Sequence, residues 1–287
     1  MVEYNSCIET IDACIASGSF AFAHLYKSEK TMDVHIHNCY ELYYSISGGK
    51  QFLIDNCFYP VETGDLFFIN QFESHHLSLV DETEHERIIF SITPEFLAKY
   101  STSHTDLNVC FHERNRNTPH KLHLNTNDQK HFLFLVHQLS TTTGIGADLL
   151  EQCRFVELMV FINSKFLEST SSVELISTYS TSSHEQVQDI LSYINRNIQT
   201  PFTIETLATH FFMSSSYICR IFKAATGTTI NKYITAKRIA LAKSLLSQGY
   251  TVTDTCEQCG FNDYSNFLKA FTKAVGISPK KYAQRKL

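Results

Sequence analysis

Short apolar runs separated by polar turns dominate the first third of the chain. Six runs between residues 20 and 92 are rich in β-branched and aromatic side chains, and turns such as Gly48-Gly49 and Gly64-Asp65 fall between them. Runs of this length and spacing predict the strands of a small β-barrel or sandwich. The predicted strands are residues 20–25, 40–46, 51–54, 66–69, 77–80 and 87–92.

From residue 94 onward the apolar positions recur at helical spacing. A short helix is predicted at 94–100, followed by an irregular polar segment at 101–125 and by helices at about 127–141 and 147–168. The last helix has a broad apolar stripe, which needs a partner surface. We predict that part of the stripe packs within the domain and that part contacts a second subunit. Its members are Leu149, Leu150, Cys153, Val156, Leu158, Met159, Val160, Phe161 and Leu167.

Residues 169–185 are rich in serine and threonine and offer little to bury, which is the composition of a flexible linker. This linker divides the chain into an N-terminal domain at 1–168 and a C-terminal domain at 186–287. A chain of 287 residues is long enough for two domains with separate cores.

The C-terminal domain contains the same helical segment twice. Residues 216–227 align with residues 265–276, 49 positions further on, with serine, a basic residue, phenylalanine, alanine and glycine at matching places. The helix before each copy is offset by 48 positions, so the second turn is one residue longer. A repeat of this period indicates one supersecondary unit used twice. The predicted helices are residues 187–198, 204–211, 214–227, 229–246, 252–259, 263–275 and a short helix from 278.

Each copy predicts a helix-turn-helix unit. In the first copy Ile218 and Phe222 share the inner face of the second helix, so Arg220 points outward, and Lys269 has the matching place in the second copy. Basic side chains on such a helix can reach base edges or phosphates in the major groove of DNA. The alternative is an ordinary helical bundle whose exposed residues happen to be basic.

Charge distribution favours the DNA-binding interpretation. The whole chain has a net charge of −5, but residues 187–287 contain thirteen Lys or Arg and five Asp or Glu. The preceding residues contain eleven Lys or Arg and twenty-four Asp or Glu. A basic domain beside an acidic one is expected of a nucleic-acid-binding module joined to a domain with another task.

Composition excludes several other classes of protein. No apolar run approaches the roughly 20 residues that a membrane span needs, and the N-terminus lacks the pattern of a signal peptide. The nine cysteines have no regular spacing, which favours reduced thiols and a cytoplasmic location without a membrane partner. Cys256 and Cys259 are spaced like half a zinc site, but no second pair matches them, so we interpret both as packing residues.

The segment from Gly260 to Phe271, followed by Gly276-Ile-Ser-Pro279 and Tyr282, resembles the signature of the AraC/XylS family of bacterial transcription regulators. Cys256 departs from the pattern, since the family usually has alanine there. The resemblance implies two helix-turn-helix units on a long helix, entering successive major grooves of promoter DNA. It implies base contacts from Ser214, Ser216, Tyr217, Cys219, Arg220, Asn262, Ser265, Asn266, Leu268 and Lys269, and phosphate contacts from Ser215, Thr229, Lys273 and Ser278.

The N-terminal domain contains a histidine pattern that resembles the motifs of cupin barrels. His35, His37, Glu41 and His75 are spaced like cupin metal ligands, and imidazole with carboxylate suits a divalent metal. The second motif departs from the pattern at Asn70 and Phe72, where cupins usually have proline and glycine, and AraC-type regulators often retain such stretches without metal. We therefore expect no cofactor and no metal, and interpret His35 and His37 as neutral, hydrogen-bonded residues of the core or of a ligand pocket. A metal site at His35, His37, Glu41 and His75 is the alternative.

Inward-facing strand residues are the candidates for an effector pocket, chosen from the alternation of side chains along strands. These candidates are Phe22, His24, His37, Tyr43 and His75.

The predicted architecture is α+β in two domains: a cupin-like β-barrel with two following helices, and an all-α domain with two helix-turn-helix units. The predicted function is sequence-specific control of transcription, as an activator that responds to a small-molecule effector, forms a homodimer and works with RNA polymerase. Two alternatives remain open. One is a DNA-binding regulator without a small ligand, whose N-terminal domain only dimerises or contacts another protein. The other is a metal-dependent cupin enzyme fused to a DNA-binding domain.

Overall fold

A computed structural model of the chain describes residues 3–26, 36–49, 51–55, 57–71, 73–78, 85–112, 120–171, 182–226 and 228–284. The strands are β1 (Phe20–Leu25), β2 (Tyr40–Ser45), β3 (Gln51–Ile54), β4 (Cys57–Pro60), β5 (Asp65–Ile69), β6 (His75–Ser78), β7 (Arg87–Ile92) and β8 (Lys121–His123). The helices of the N-terminal domain are α1 (Cys7–Ser17), α2 (Pro94–Tyr100), α3 (Val109–His112), α4 (Thr126–Ser140) and α5 (Ala147–Ser171).

Two antiparallel sheets form the N-terminal domain. One has the strand order β1-β7-β2-β5-β8, and the other has the order β4-β3-β6. The register places Phe22 opposite Phe90, and Phe90 opposite Leu42. Because side chains alternate across a strand, these three residues share one face of the larger sheet and Tyr43 lies on the other.

Each face of the larger sheet has its own core. The outer face, with Phe22 and Leu42, packs beneath the helices from α2 to α5. The inner face, with Tyr43 and Phe67, faces the smaller sheet and meets Phe52 of β3 there. The Phe52 ring lies 4.9 Å from the Tyr43 ring and 5.1 Å from the Phe67 ring, measured between centroids. Aromatic packing therefore fills this part of the barrel interior.

The helix α1 packs against β1 and β7. It begins where the Ser6 hydroxyl accepts a hydrogen bond from the Glu9 amide at 3.2 Å, and it ends at Gly18, whose φ of 63° is left-handed. Its first residue, Cys7, is buried in the inner core of the barrel. The helix α1 thus places the Cys7 thiol in the barrel interior.

The C-terminal domain is entirely helical in its described part. Its helices are α6 (Ser182–Arg196), α7 (Ile204–His210), α8 (Ser215–Thr226), α9 (Ile230–Ser247), α10 (Val252–Gln258), α11 (Tyr264–Val275) and α12 (Pro279–Gln284). The first half of α9 packs with α6, α7 and α8, and its second half packs with α10, α11 and α12. Two cores therefore share one central helix, and each core supports one helix-turn-helix unit.

Most predicted elements are present, and four were missed. The helices α1 and α3 and the strands β4 and β8 lie in segments without a predicted element, and β8 pairs with β5 inside the segment predicted to be irregular. The predicted strand at 77–80 begins earlier, at His75, and residues 79–80 lie outside the described residues.

The predicted linker at 169–185 is shorter than expected at both ends. The helix α5 continues to Ser171, and α6 already begins at Ser182. Residues 172–181 lie outside the described residues, so the linker itself stays a prediction.

No helix among the described residues is both long enough and apolar enough to span a membrane.

Candidate DNA-binding surface and barrel centre

The first candidate reading helix is α8. The Ser214 hydroxyl caps it by accepting a hydrogen bond from the Tyr217 amide at 3.2 Å. Ser216, Tyr217 and Arg220 are exposed on its outer face, whereas Cys219 is half-buried against the first core. The Arg220 guanidinium lies over the Tyr217 ring, 5.3 Å from the centroid. A cation and an aromatic ring therefore form one outward-facing surface.

The second candidate reading helix is α11. The Asp263 carboxylate caps it by accepting a hydrogen bond from the Asn266 amide at 2.7 Å. Asn262, Ser265, Asn266 and Lys269 are exposed. Leu268 is half-buried against the second core, as Cys219 is against the first.

The predicted phosphate contacts lie at helix N-termini and on outer faces. The Thr229 hydroxyl caps α9 by accepting from the Lys232 amide at 3.3 Å, and the Ser278 hydroxyl accepts from the Lys281 amide at 3.4 Å at the start of α12. Lys273 is exposed, and Ser215 is half-buried. Helix N-termini with free amide groups attract phosphate, which suits these positions.

Two exposed lysines at the same helix starts were missed by the sequence interpretation. Lys232 lies in the first turn of α9 and Lys280 in the first turn of α12. Charge alone does not distinguish them from the other lysines of a basic domain. The sequence signal that could have found them is the neighbouring N-cap residue, Thr229 or Ser278, which places each lysine beside a helix N-terminus.

The two units are held together by close backbone packing. Gly260 in the second turn has a φ of +75°, and a Cβ there would lie 2.7 Å from the carbonyl oxygens of both Ile198 and Gln199. Arg238 of α9 donates to the Ile198 and Thr200 carbonyl oxygens, both at 3.0 Å. The loop before α7 is therefore fixed against the turn of the second unit.

The predicted difference between the two turns is confirmed. The helices α7 and α10 begin 48 positions apart, whereas α8 and α11 begin 49 apart. At the position of Gly260 the first turn has Phe212, a non-glycine residue with a φ of +53° whose surface is 98 % exposed. Cys256 and Cys259 are buried in the second core, as expected of packing residues.

Family comparisons match both domains. The family model described as the AraC-like ligand binding domain matches residues 17–159, and a helix-turn-helix domain model matches residues 207–285. The chain belongs to the AraC/XylS family. It is a DNA-binding transcription regulator with an N-terminal domain of the ligand-binding type.

Individual relatives match this AraC-family chain over different lengths. The activator RhaR of Mannheimia succiniciproducens is 22 % identical over 88 % of this chain and 87 % of its own length. The probable regulator LumQ of Photobacterium leiognathi is 30 % identical, but the match spans 32 % of this chain and 37 % of LumQ. The solved structure of ToxT from Vibrio cholerae is 15 % identical over 94 % of this chain and 98 % of its own, with a TM-score of 0.38.

In this AraC-family protein the barrel centre contains a buried ionisable cluster. Glu41 Oε2 lies 3.1 Å from His37 Nε2 and 3.4 Å from His75 Nε2. The Cys7 thiol donates to the same oxygen at 3.3 Å. The ligand atoms of His37, Glu41 and His75 lie within 4.8 Å of one another. His35, the fourth predicted metal ligand, lies outside the described residues.

Burial and neighbouring groups shift the pKa values of this cluster in opposite directions. Burial would raise the pKa of Glu41, but the imidazoles of His75 and His37 hold it well below its usual range. Burial would lower the pKa of His37, but its interactions with Cys39 and Glu41 raise it to about 9. The cluster therefore favours an ionised carboxylate facing the two imidazoles.

The structure does not bring the five predicted pocket residues together. Phe22 packs beneath the helices on the outer face of the larger sheet. His24 lies on that same outer face, with its Nε2 atom 2.9 Å from Glu86 Oε1. His37, Tyr43 and His75 are buried in the interior. Alternation along a single strand does not give the register between strands, and the register places Phe22 and His24 on the face opposite to Tyr43.

The two domains contact each other at the turn between β3 and β4. Lys237 Nζ of α9 lies 2.7 Å from Asp55 Oδ1, and the Tyr233 hydroxyl donates to the Asp55 carbonyl oxygen at 3.1 Å. Leu53 of β3 is buried in the core of the first helix-turn-helix unit. Burial would lower the pKa of Lys237, but the Asp55 carboxylate raises it above its ordinary value. A hairpin of the barrel is thus joined to the central helix.

Proposed function

We propose that this regulator is a homodimeric transcription activator that binds promoter DNA through α8 and α11 and responds to a small-molecule effector through its barrel. The observation that carries the proposal is the arrangement of α8 and α11. Both are capped, both expose polar side chains, and they pack on the two halves of the same helix, α9. The 18 residues of α9 span about 27 Å. This length is comparable to the roughly 34 Å of one DNA turn that separates successive major grooves.

Binding of DNA is tested with an operator selected by the protein itself from a random library of duplexes. Arg220→Ala and Lys269→Ala should each weaken binding to that operator by about 1–3 kcal/mol, because a bidentate contact to a base is lost. Fluorescence anisotropy at fixed salt measures the change. Lys130→Ala, which removes an exposed lysine of α4, is the matched control and should leave affinity unchanged. Wild-type affinity in both reading-helix variants would contradict the assignment.

The homodimer is supported by an exposed apolar face on α5. Leu158 and Met159 of the predicted stripe are buried in the barrel core, whereas Leu149, Val160 and Leu167 are 45 to 63 % exposed. Phe134 on the adjoining α4 is exposed as well. An apolar face of this extent favours contact with a second copy.

A charge on this face should separate the two copies. Val160→Glu is expected to weaken dimerisation by about 2 kcal/mol or more, since a carboxylate would be buried without a partner. Sedimentation velocity over a concentration series measures the shift to monomer. Ile15→Glu makes the same change at an exposed position of α1 and should leave the dimer intact. A dimer that survives Val160→Glu unchanged would place the contact elsewhere.

An effector is supported by the family of the N-terminal domain and by the contact of the β3–β4 hairpin with α9. A ligand that binds better to one arrangement of the two domains across this contact shifts the population of the DNA-competent state. A thermal-shift screen of small metabolites should give a compound that raises the melting temperature and changes affinity for the selected operator. A screen without such a compound, with dimer and DNA binding intact, would favour the regulator without a small ligand.

A further inference from the structure

The outer face of the smaller sheet packs against the first helix-turn-helix unit. Leu53 of β3 lies opposite Phe58 of β4 and His76 of β6, so the three side chains share one face of the sheet. Leu53 is 1 % exposed and belongs to the core of the first unit, and Phe58 packs against that core. The neighbours Phe52 and Ile54 face the barrel interior instead. The smaller sheet is therefore part of two cores, one in each domain.

Asp55, at the turn after β3, adds a polar contact beside this apolar one. Its φ of 52° is left-handed, a conformation that aspartate and asparagine adopt more readily than most residues. The Asp55 amide donates to the Ser74 carbonyl oxygen at 2.6 Å, and the Ser74 amide and hydroxyl both donate to Asp55 Oδ1 at 3.2 Å. Ser74 is buried and directly precedes β6. The barrel therefore holds the Asp55 carboxylate in one place.

The first unit binds both the carboxylate and the backbone of Asp55. Lys237 Nζ donates to Asp55 Oδ1 at 2.7 Å, and the Tyr233 hydroxyl donates to the Asp55 carbonyl oxygen at 3.1 Å. The same hydroxyl lies 3.1 Å from Asn195 Oδ1 of α6, and the Tyr233 ring packs on Phe222 of α8. The side chains of Asp55 and Lys237 are only 28 % and 15 % exposed, so removing one would leave the other charge partly desolvated and without its partner. One turn of the barrel is therefore fixed to α9, and through Tyr233 to α6 and α8.

Packing of the barrel is looser toward the second half of α9. A cavity of about 250 Å³ lies between Ile36 of the N-terminal domain and the helices α9 and α11, with Ile239 and Val275 in its lining. The barrel is thus anchored at the first unit. Both units share α9, and the close approach of Gly260 to the Ile198 carbonyl oxygen joins them a second time. The whole DNA-binding domain therefore follows the position of this anchor.

The covalent connection between the domains would not fix this position by itself. Residues 172–181 join α5 to α6. A chain of that length reaches at most about 35 Å when it is extended. This reach is comparable to the roughly 34 Å of one DNA turn. Without the contact at Asp55 and Leu53, the connection would allow the DNA-binding domain to move by about one DNA turn relative to its barrel.

We propose that the contact of the β3–β4 turn with α9 sets the spacing between the two operator half-sites that one dimer binds, a half-site being the DNA bound by one protomer. The barrels of the dimer meet through α5, and each barrel carries its DNA-binding domain in one fixed position. Tyr217, Arg220 and Lys269 of the reading helices are exposed while the contact is made, so the contact is compatible with DNA binding. The protein then selects DNA by spacing as well as by base sequence. This inference rests on the proposed function, because it needs a homodimer that binds DNA.

A lengthened operator tests the proposal with the full-length protein. Inserting roughly 10 base pairs between the half-sites of the selected operator keeps both on one face of the DNA and moves them one turn further apart. Wild-type protein should bind the lengthened operator about 100-fold more weakly, since only one DNA-binding domain is then seated and the gain from bivalent binding is lost. Leu53→Asp places a charge in the contact and leaves the barrel interior unchanged. This variant should bind both operators with similar affinity, because the connection of each protomer then spans either spacing. Fluorescence anisotropy at fixed salt measures both affinities.

Variants of the ion pair show whether the charges carry the effect. Asp55→Asn retains a residue that suits the left-handed backbone but removes the negative charge, and Lys237→Met removes the positive charge. Each should reduce the discrimination between the two operators, and the double variant should reduce it no further, since both changes remove the same pair. Lys237→Arg keeps the charge and should retain the discrimination. Asp12→Asn, at an exposed position of α1, is the matched control and should bind both operators as wild type does.

Two further measurements protect the test against misfolding. Every variant should bind a duplex with a single half-site as tightly as wild type, which shows that its DNA-binding domain is folded. Small-angle X-ray scattering of the free protein checks the contact without DNA, and Leu53→Asp should have a larger radius of gyration than wild type and Asp12→Asn.

The outcomes separate this inference from the proposed function. A wild-type dimer that binds both operators equally would overturn the inference on spacing and leave the proposed function intact. An unchanged radius of gyration in Leu53→Asp, or a variant with an enlarged radius that still rejects the lengthened operator, would overturn the inference as well. A wild-type chain that is monomeric or that selects no duplex would contradict the proposed function, and the inference on spacing with it.

Discussion

Replacing Gly260 by alanine is expected to destabilise the second helix-turn-helix unit by about 3 kcal/mol and to weaken operator binding. Two physical terms add: the left-handed backbone costs an L-residue about 1–2 kcal/mol, and overpacking against rigid backbone costs about 1–3 kcal/mol. The new Cβ would lie 2.7 Å from two carbonyl oxygens of the loop before α7. That loop cannot retreat freely, because Arg238 holds the carbonyl oxygens of Ile198 and Thr200.

A substitution at a second glycine distinguishes the cost of the left-handed backbone from the cost of overpacking. Gly249 follows α9 with a φ of +91°, but a Cβ there would have no neighbour within 4 Å. Gly249→Ala should therefore cost only the conformational part, about 1–2 kcal/mol. Chemical denaturation followed by circular dichroism measures both variants, and anisotropy with the selected operator measures DNA binding. Equal losses in the two variants would show that the close approach of Gly260 to the loop has no energetic consequence.

The helices of the DNA-binding domain were predictable from the sequence because their signals are local. Apolar spacing, N-caps such as Thr203 and Asp263, and the repeat itself all fall within a few residues of each element. The family model and the helix positions confirm that interpretation. The identities of the base-contacting residues stay predictions, although eight of the ten are exposed and only Cys219 and Leu268 are half-buried.

The missed elements of the barrel depend on distant partners or on signals that were overlooked. The strand β8 has three residues in a polar segment, and its pairing with β5 defines it. The strand β4 ends at Pro60, and proline weakens the sequence signal of a strand. For α1 a local signal existed, since Ser6 stands three residues before Glu9 in the pattern of a helix N-terminus.

The barrel site could be predicted in its parts but not in its geometry. Spacing placed His37, Glu41 and His75 among the metal candidates, and the structure brings these three together. The Cys7 thiol also reaches Glu41, because α1 places it in the barrel interior, and α1 was not predicted from the sequence. Which candidate residues meet is decided by the pairing of distant strands and the packing of α1, and no local sequence pattern encodes either.

Truncating Phe271 should unfold one DNA-reading unit and leave the other. Phe271 is fully buried, and its ring lies 5.8 Å from that of Phe267 and 5.6 Å from that of Tyr282, between centroids. Removing such a ring leaves a cavity and costs about 3–5 kcal/mol. The first unit has its own core, in which Phe222 packs against Tyr233 at 5.7 Å. Phe271→Ala should therefore spare α8 while it disorders α11.

Footprinting on the selected operator distinguishes the two cores. At protein concentrations high enough to saturate a single unit, Phe271→Ala should lose protection of one half of the site and Phe222→Ala should lose the other half. Thr272→Ala, at the exposed neighbour of Phe271, should keep the full footprint. Loss of the entire footprint in both variants at every concentration would show that the two units fold as one. The contact of Gly260 with the loop before α7 would then bind the two cores into a single cooperative domain, because each unit would need the other to remain folded.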